Sequence, residues 1–359
     1  MKRFKPRFRP TRRAFLANTG ALAVGLTFLP RHSLSQEEKR LNFYNWDTYI
    51  GETTLEDFQG ESGIEVQMDL FADNDELFAK LRAGNPGYDV IVPTNDYVER
   101  MITAEMLMPL DHSKIPNMSN IDEPFRDAAF DPGRKHSMPY MWGTMGIGYR
   151  KSAVEEPIDS WRVLMDSDQY AGRISLLGDA QNVIGCALKY LGHSFNSTSA
   201  EEIEQVEELL IANKRHIKVF APDTGQDLLI AGEVDLCQEW NGDILQVMDE
   251  DDDLAYVVPQ EGTLLWEDCL AIPNGAPHPD NAHAFINYVL DAEAGAAIAD
   301  YIQYATANAA AKELMDEEYV NNPAIFPTDE IIAKSEPSIY LGEAAIRMRD
   351  EAWTRIQAA

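Results

Sequence analysis

Cysteine is scarce in this chain. Its 359 residues hold three, Cys186, Cys237 and Cys269, far apart and odd in number. None stands in a metal-ligand spacing and at most one disulfide is possible, so three buried thiols are the expected state. Histidine is scattered as well. There is no HExxH, and His193-Ser194 lacks the glycines of a nucleophile elbow. Neither a Walker A loop nor a dinucleotide fingerprint occurs, so nothing singles out a catalytic centre and the chain does not read as an enzyme. Long apolar runs are missing too. The one candidate, Ala14–Leu29, is interrupted by Gly20 and Gly25 and closed by Pro30, short of the ~20 residues that span a bilayer comfortably.

Charge is divided unevenly. No acidic residue precedes Glu37, and Lys2, Arg3, Lys5, Arg7, Arg9, Arg12, Arg13 and Arg31 lie in the first 35 positions. Thr11–Leu16, reading TRRAFL, matches a twin-arginine export signal, with an apolar run behind it and Ser33-Leu34-Ser35 as a small-residue cleavage site. Residues 1–35 are therefore expected to be a signal peptide that directs a folded, soluble protein to the periplasm. Eight of the 30 basic residues lie there, which leaves 22 against 60 acids, a net charge of about −38. Such a surface repels phosphate backbones, so nucleic acid is not an expected partner. It attracts cations weakly, and a saline habitat would select it equally well. A mature chain this long calls for two domains.

What is present is aromatic rings beside acids. Leu41–Asn45 reads as a strand that ends in Trp46, Asp47 and Tyr49. Strand and helix patterns then alternate: a capping box Thr53-x-x-Glu56, an alternating Ile64–Leu70, a helix near Asp75–Ala83, and an apolar run Tyr88–Val92 ending in Thr94 and Asp96. This rhythm predicts a parallel α/β sheet with ligands at the carboxyl ends of its strands. The Gly- and Met-rich Ser137–Gly146 reads as a crossing between domains. A second α/β unit follows. Arg173–Leu177 ends at Asp179 before a helix over 180–191, Ser199 caps the next helix, and Val234–Trp240 ends in Asn241-Gly242-Asp243. The acidic run Asp249–Asp253 does not fit a calcium loop and reads as a solvated turn. In Leu264–Ile272 the alternation of faces puts Trp266 and Asp268 on the same side. Helices are expected over 281–290 and 292–303, with Tyr304 just beyond, and over most of 330–359.

Three aromatic–acid pairings thus fall at strand ends: Trp46, Asp47 and Tyr49; Trp240 and Asp243; Trp266 and Asp268. Each has a plain structural alternative. The tryptophans could be core, and Asp243 or Asp179 could simply be helix caps. An alkyl diamine or triamine, however, needs carboxylates for its ammonium groups and apolar rings along its methylenes, and the pairings offer both.

At these residues the chain resembles the spermidine/putrescine-binding proteins of bacterial ABC importers. The motifs are FYNWDTY (43–49), YDVIVPT (88–94), MPYMWGTMGIGY (138–149), WNGD (240–243), WEDCLAIP (266–273) and IQYATAN (302–308). The resemblance implies a two-lobed periplasmic-binding-protein fold of type II, with crossing strands as hinge. One lobe would take 37–143 and 267–312, the other 147–263 and 316–359, with the ligand cleft between them. It implies contacts from Trp46, Tyr49, Thr94, Asp179, Trp240, Trp266, Asp268 and Tyr304. The chain departs from the family pattern at four positions. Asn182 replaces a glutamate of spermidine-type members, Asp243 follows putrescine-type members, Asp96 replaces an aromatic, and Asp47 replaces Ser or Thr. The last usual contact, near Ser338, is not fixed by alignment. The expected function is capture of a polyamine, putrescine ahead of spermidine, and its delivery to an inner-membrane ABC permease and its ATPase, with no cofactor or metal. The alternatives are a binding protein for another organic cation or an amino acid, and a two-lobed α/β enzyme.

Overall fold

A computed structural model describes residues 37–359; the export signal expected over 1–35 lies outside them. The strands are β1 (Arg40–Asn45), β2 (Glu65–Leu70), β3 (Val90–Ile91), β4 (Ser137–Arg150), β5 (Ile174–Leu177), β6 (Ile217–Ala221), β7 (Leu236–Trp240), β8 (Leu254–Val257), β9 (Leu264–Ala271), β10 (Ala305–Thr306) and β11 (Glu336–Pro337). β1 buries Leu41, Phe43 and Tyr44 and lies parallel to β2 and β3 on its two sides. On β2, which forms one edge of the sheet, Val66 and Met68 are half-buried and Leu70 is exposed. A second parallel set, β7-β5-β6, has the same construction.

The three strands of the β-α-β-α-β unit, β1 to β3, are parallel as expected, while the sheet as a whole is mixed. Its order is β2-β1-β3-β9-β4-β7-β5-β6, and the two middle strands run antiparallel to their neighbours. The cause is the chain's path: it crosses from the first parallel set to the second along β4 and returns along β9. The first half of β4, Ser137–Thr144, pairs with β9, and the second half, Met145–Arg150, pairs with β7 and β8. A third link, β11, lies beside the start of β9. The tail is mostly helical as expected, over Asp329–Lys334 and Glu343–Ala358, with the two residues of β11 between. Pro337 has no N–H to continue the preceding helix, and the last helix starts only at Glu343.

The helix caps follow their sequence signals at Ser199 and not at Thr53. Ser199 has an extended backbone, and its side chain accepts from the Glu202 N–H as a cap should. The capping box at Thr53 does not form. Thr53 sits at φ −109°, ψ −2°, outside the extended geometry a cap needs, and its hydroxyl donates to Asp57 at 2.6 Å instead. That helix, Thr54–Ser62, closes on Gly63 at φ 70°, whose N–H bonds back to the Gln59 carbonyl. The acidic segment Asp249–Asp253 is a turn, but Asp251 and Asp253 both hold Arg150, at 2.9 and 3.0 Å. All three cysteines are buried and free. No helix among the described residues is long and apolar enough to cross a membrane.

Gly143 lies on β4 where the two halves of the sheet meet. A Cβ there would stand 2.6 Å from the Trp266 ring and would also strike the Asn241 side chain. Gly143→Ala should therefore cost about 1–3 kcal/mol of stability by overpacking. Urea denaturation followed by tryptophan fluorescence checks this, and an unchanged midpoint would contradict the close packing of Trp266 on β4.

Candidate functional site

A cavity of about 430 Å³ opens where the two parallel sets meet, within the range of small-molecule sites. All twelve residues singled out from the sequence line it, Asn182 among them. No lysine, arginine or histidine does so among the described residues. Its walls are rings and its ends are acids.

The ring wall is continuous. Tyr49 packs edge-on against Tyr304, Tyr304 against Trp266, and Trp266 against Trp240, at centroid distances of 5.2, 5.1 and 5.9 Å. Trp46 stands apart from this run. It packs on Phe71, and its N–H donates to the Val92 carbonyl at 2.9 Å, fixing the end of β1 to the end of β3. Trp266 is 5 % exposed and its indole N–H has no acceptor, so its value lies in its faces. Tyr49, Trp266 and Tyr304 are buried, Trp46 and Trp240 are half-buried, and all five line the cavity.

Three groups of carboxylates meet this space. Asp268, on β9, accepts from the Thr94 hydroxyl at 2.8 Å, and Thr94 in turn accepts from Asn74 at 2.8 Å. The Tyr49 hydroxyl lies beside the same carboxyl. At a second place, Asp243, Asp223 and Glu239 bring carboxylate oxygens within 4.8 Å of one another. Here the Trp240 indole donates to Asp223 at 2.9 Å, and Tyr304 sits against Asp243, accepting from its N–H at 3.3 Å. The third group is Asp96 with Asp179, each in the first turn or cap of a helix, Asn95–Thr103 and Ala180–Tyr190. Asp179 is the cap its alternative reading proposed, accepting from the N–H groups of Gln181 and Asn182, and it lines the cavity as well. Asp243 is not a cap: it lies within the first turn of helix Asn241–Met248. Asp47 is exposed at the rim and accepts from the Thr48 N–H.

Sequence reading missed Asp223 and Glu239. Asp223 follows the end of β6, a strand-end position of the kind used to find the others. Glu239 precedes Trp240 on β7 and so faces away from it, and nothing in the spacing marked it. Ser338, left open by alignment, also lines the cavity.

Packing these acids together without a cation has an electrostatic consequence. Burial pushes Asp268 and Asp96 up to about 7, and Asp179 and Asp223 up to about 6; neighbouring acids add to each shift. Glu239 and Asp243 are raised further, first by burial and then by Asp223. Acids raised in this way, first by burial and then by one another, would be drawn back to the charged form by a cation placed beside them.

The fold and site define a two-lobed solute-binding protein of the type II periplasmic class. Residues 53–328 match the family of bacterial extracellular solute-binding proteins. The chain is 33 % identical to the putrescine-binding periplasmic protein PotF of Escherichia coli, with 95 % of this chain and 97 % of that one covered. It is also 33 % identical to the spermidine/putrescine-binding periplasmic protein of the same organism, at 96 % and 97 % coverage. Among solved structures, a spermidine/putrescine ABC transporter protein of Listeria monocytogenes superimposes with a TM-score of 0.85 at 32 % identity, covering 89 % of this chain and 99 % of that one. PotD of Streptococcus pneumoniae gives 0.78 at 32 % identity and the same coverage. The chain belongs to the bacterial extracellular solute-binding family, among its spermidine/putrescine-binding periplasmic members, a family of binding proteins and not of enzymes.

The raised acids also set a pH dependence. Their stability contribution is fully present below about pH 4, the ordinary carboxylate range, and is lost as pH rises through the folded values of about 6 to 7. The thermal midpoint of the ligand-free protein should therefore rise on going from pH 7.5 to 5.5, and Asp96→Asn with Asp268→Asn should flatten that rise. A midpoint that falls over this interval in scanning calorimetry would contradict the protonation of these acids.

Proposed function

We propose that this protein captures a linear polyamine in the periplasm and delivers it to an ABC permease, with putrescine preferred over spermidine. The observation that carries this is the ring wall from Tyr49 to Trp240, with Asp268 beside Tyr49, Asp243 against Tyr304 and Asp223 bonded to Trp240. One ammonium pairs with Asp268, supported by Thr94 and Tyr49, and the other with Asp243 and Asp223. The methylenes lie on Trp266, Tyr304 and Trp240, with cation–π attraction of ~0.5–2 kcal/mol per ring. Micromolar affinity needs about −8 kcal/mol in total, within reach of two such pairs after the costs of ordering. The names of the relatives support the class of ligand, and a lining free of basic residues disfavours an amino-acid carboxylate.

The lobes in this reading are 37–143 with 267–312, and 147–263 with 316–359. They close over the ligand by bending in β4, β9 and the β11 link. Closure would present both lobes to the permease together, so that only loaded protein docks well. The TRRAFL segment supports export of the folded protein by the twin-arginine machinery.

Calorimetric titration tests the ligand and the site together. Asp268→Asn should weaken putrescine binding by about 3 kcal/mol, because one ammonium is left in a dry cleft without its anion. Unchanged affinity would remove Asp268 from the site. Asn182→Glu, which restores the acid of spermidine-type members beside Asp179, should improve spermidine relative to putrescine by about tenfold, or ~1.4 kcal/mol. An unaltered ratio would mean that the third ammonium is not received there.

A further inference from the structure

Helix Asn95–Thr103 begins at the cavity, just after Thr94, and three contacts join it to the segment between β11 and the last helix. The Asn95 side chain donates to the Ser338 carbonyl at 2.7 Å. Glu99 accepts from the Tyr340 N–H at 3.2 Å. Arg100 grips the Glu343 carboxylate with two nitrogens, Nε at 2.9 Å and Nη2 at 3.3 Å, and the Tyr340 hydroxyl donates to the same carboxylate at 3.0 Å. In the lobe division proposed above, Asn95 to Arg100 belong to the first lobe and Ser338 to Glu343 to the second. The contacts therefore cross between lobes, and they run outward from the crossing strands. Asn95 also accepts from the Glu267 N–H of β9, and the Ser338 N–H donates to the Leu265 carbonyl. Arg100 lies more than a helical turn further along.

The two partners are built differently. Arg100 is 9 % exposed, its guanidinium lies 4.1 Å over the Phe78 ring, and Nη1 reaches Asp75 at 3.4 Å. Tyr97 holds the same Asp75 oxygen at 2.7 Å. A guanidinium already fixed within its own lobe gives up little freedom when it takes a carboxylate from the other. The Glu343 side chain, by contrast, is more than half exposed. The surrounding charges are mostly acids, from both lobes. Asp73 and Asp75 of the first face Asp179 and Asp350 of the second, all four line the cavity, and Arg82 is the other cation near Glu343. Bringing the lobes together sets like charges against one another. Arg100 places a cation between Asp75 and Glu343, outside the cavity lining, and leaves the acids within for the ligand.

We propose that Arg100 and Glu343 form a clasp between the lobes, made as the cleft closes over its ligand, and that Arg100 is thereby a positioning residue for polyamine capture. This rests on the polyamine reading and lobe division above and goes beyond them by naming what holds the loaded form shut. Bonds made only in the closed form add to ligand affinity, whereas bonds kept in both forms do not.

Putrescine titration by calorimetry, with release followed by stopped flow, tests this on the wild type, Glu343→Gln, Arg100→Met and the double variant. Glu343→Gln should weaken binding about fivefold, through faster release, with the thermal midpoint of the ligand-free protein unchanged. Arg100→Met should match it in affinity, and the double variant should be no weaker than either single one, because all three lose the same pair. Glu343 is the exposed partner, so Glu343→Gln decides alone should Arg100→Met fail to fold. Wild-type affinity in Glu343→Gln overturns the clasp and leaves the polyamine reading intact. A ligand-free midpoint that falls in Glu343→Gln overturns it as well, since the pair would then be made without closure. Wild type that binds neither putrescine nor spermidine ends both readings.

Discussion

The interaction on which this molecule turns is repulsion among carboxylates that have no cation of their own. Asp268, Asp96, Asp179, Asp223, Asp243 and Glu239 surround or back one cavity whose lining has no basic side chain among the described residues. Charged, they repel one another in a medium that screens poorly; protonated, they give up the charge that a cation requires. In the reading proposed above, a ligand carrying two positive charges on a flexible apolar spacer would resolve the conflict by neutralising acids at two places and covering rings between them.

The fold exists in the form that makes this possible. A single 14-residue strand, β4, belongs half to one parallel set and half to the other. Its return strand, β9, carries Trp266 and Asp268 on one face, directly at the crossing. The cavity therefore opens where the two sets are joined, and Gly143 on β4 leaves the room Trp266 needs.

Much of this was legible in the sequence because strand ends in α/β proteins gather ligands, and because Trp46, Trp240 and Trp266 mark three of those ends with rings too large to be casual. Alternation placed Trp266 and Asp268 together before any coordinates did. The antiparallel middle of the sheet was not legible, because strand patterns carry no direction and the path of β4 is set by distant pairing. Glu239 was hidden by the same alternation that exposed Asp268: it faces away from Trp240, and only the turn after β6 brings Asp223 to it. The Thr53 capping box failed because a motif fixes residue types and not the backbone angle they adopt.

The most direct measurement is the number of protons exchanged when putrescine binds, obtained by calorimetric titration near pH 6.5 in buffers of different ionisation enthalpy. Putrescine is fully charged there, so any exchange belongs to the protein. Acids held partly protonated by burial and mutual repulsion must ionise as the ammonium groups arrive, and the predicted result is net proton release. Binding with no release, or with proton uptake, would contradict it.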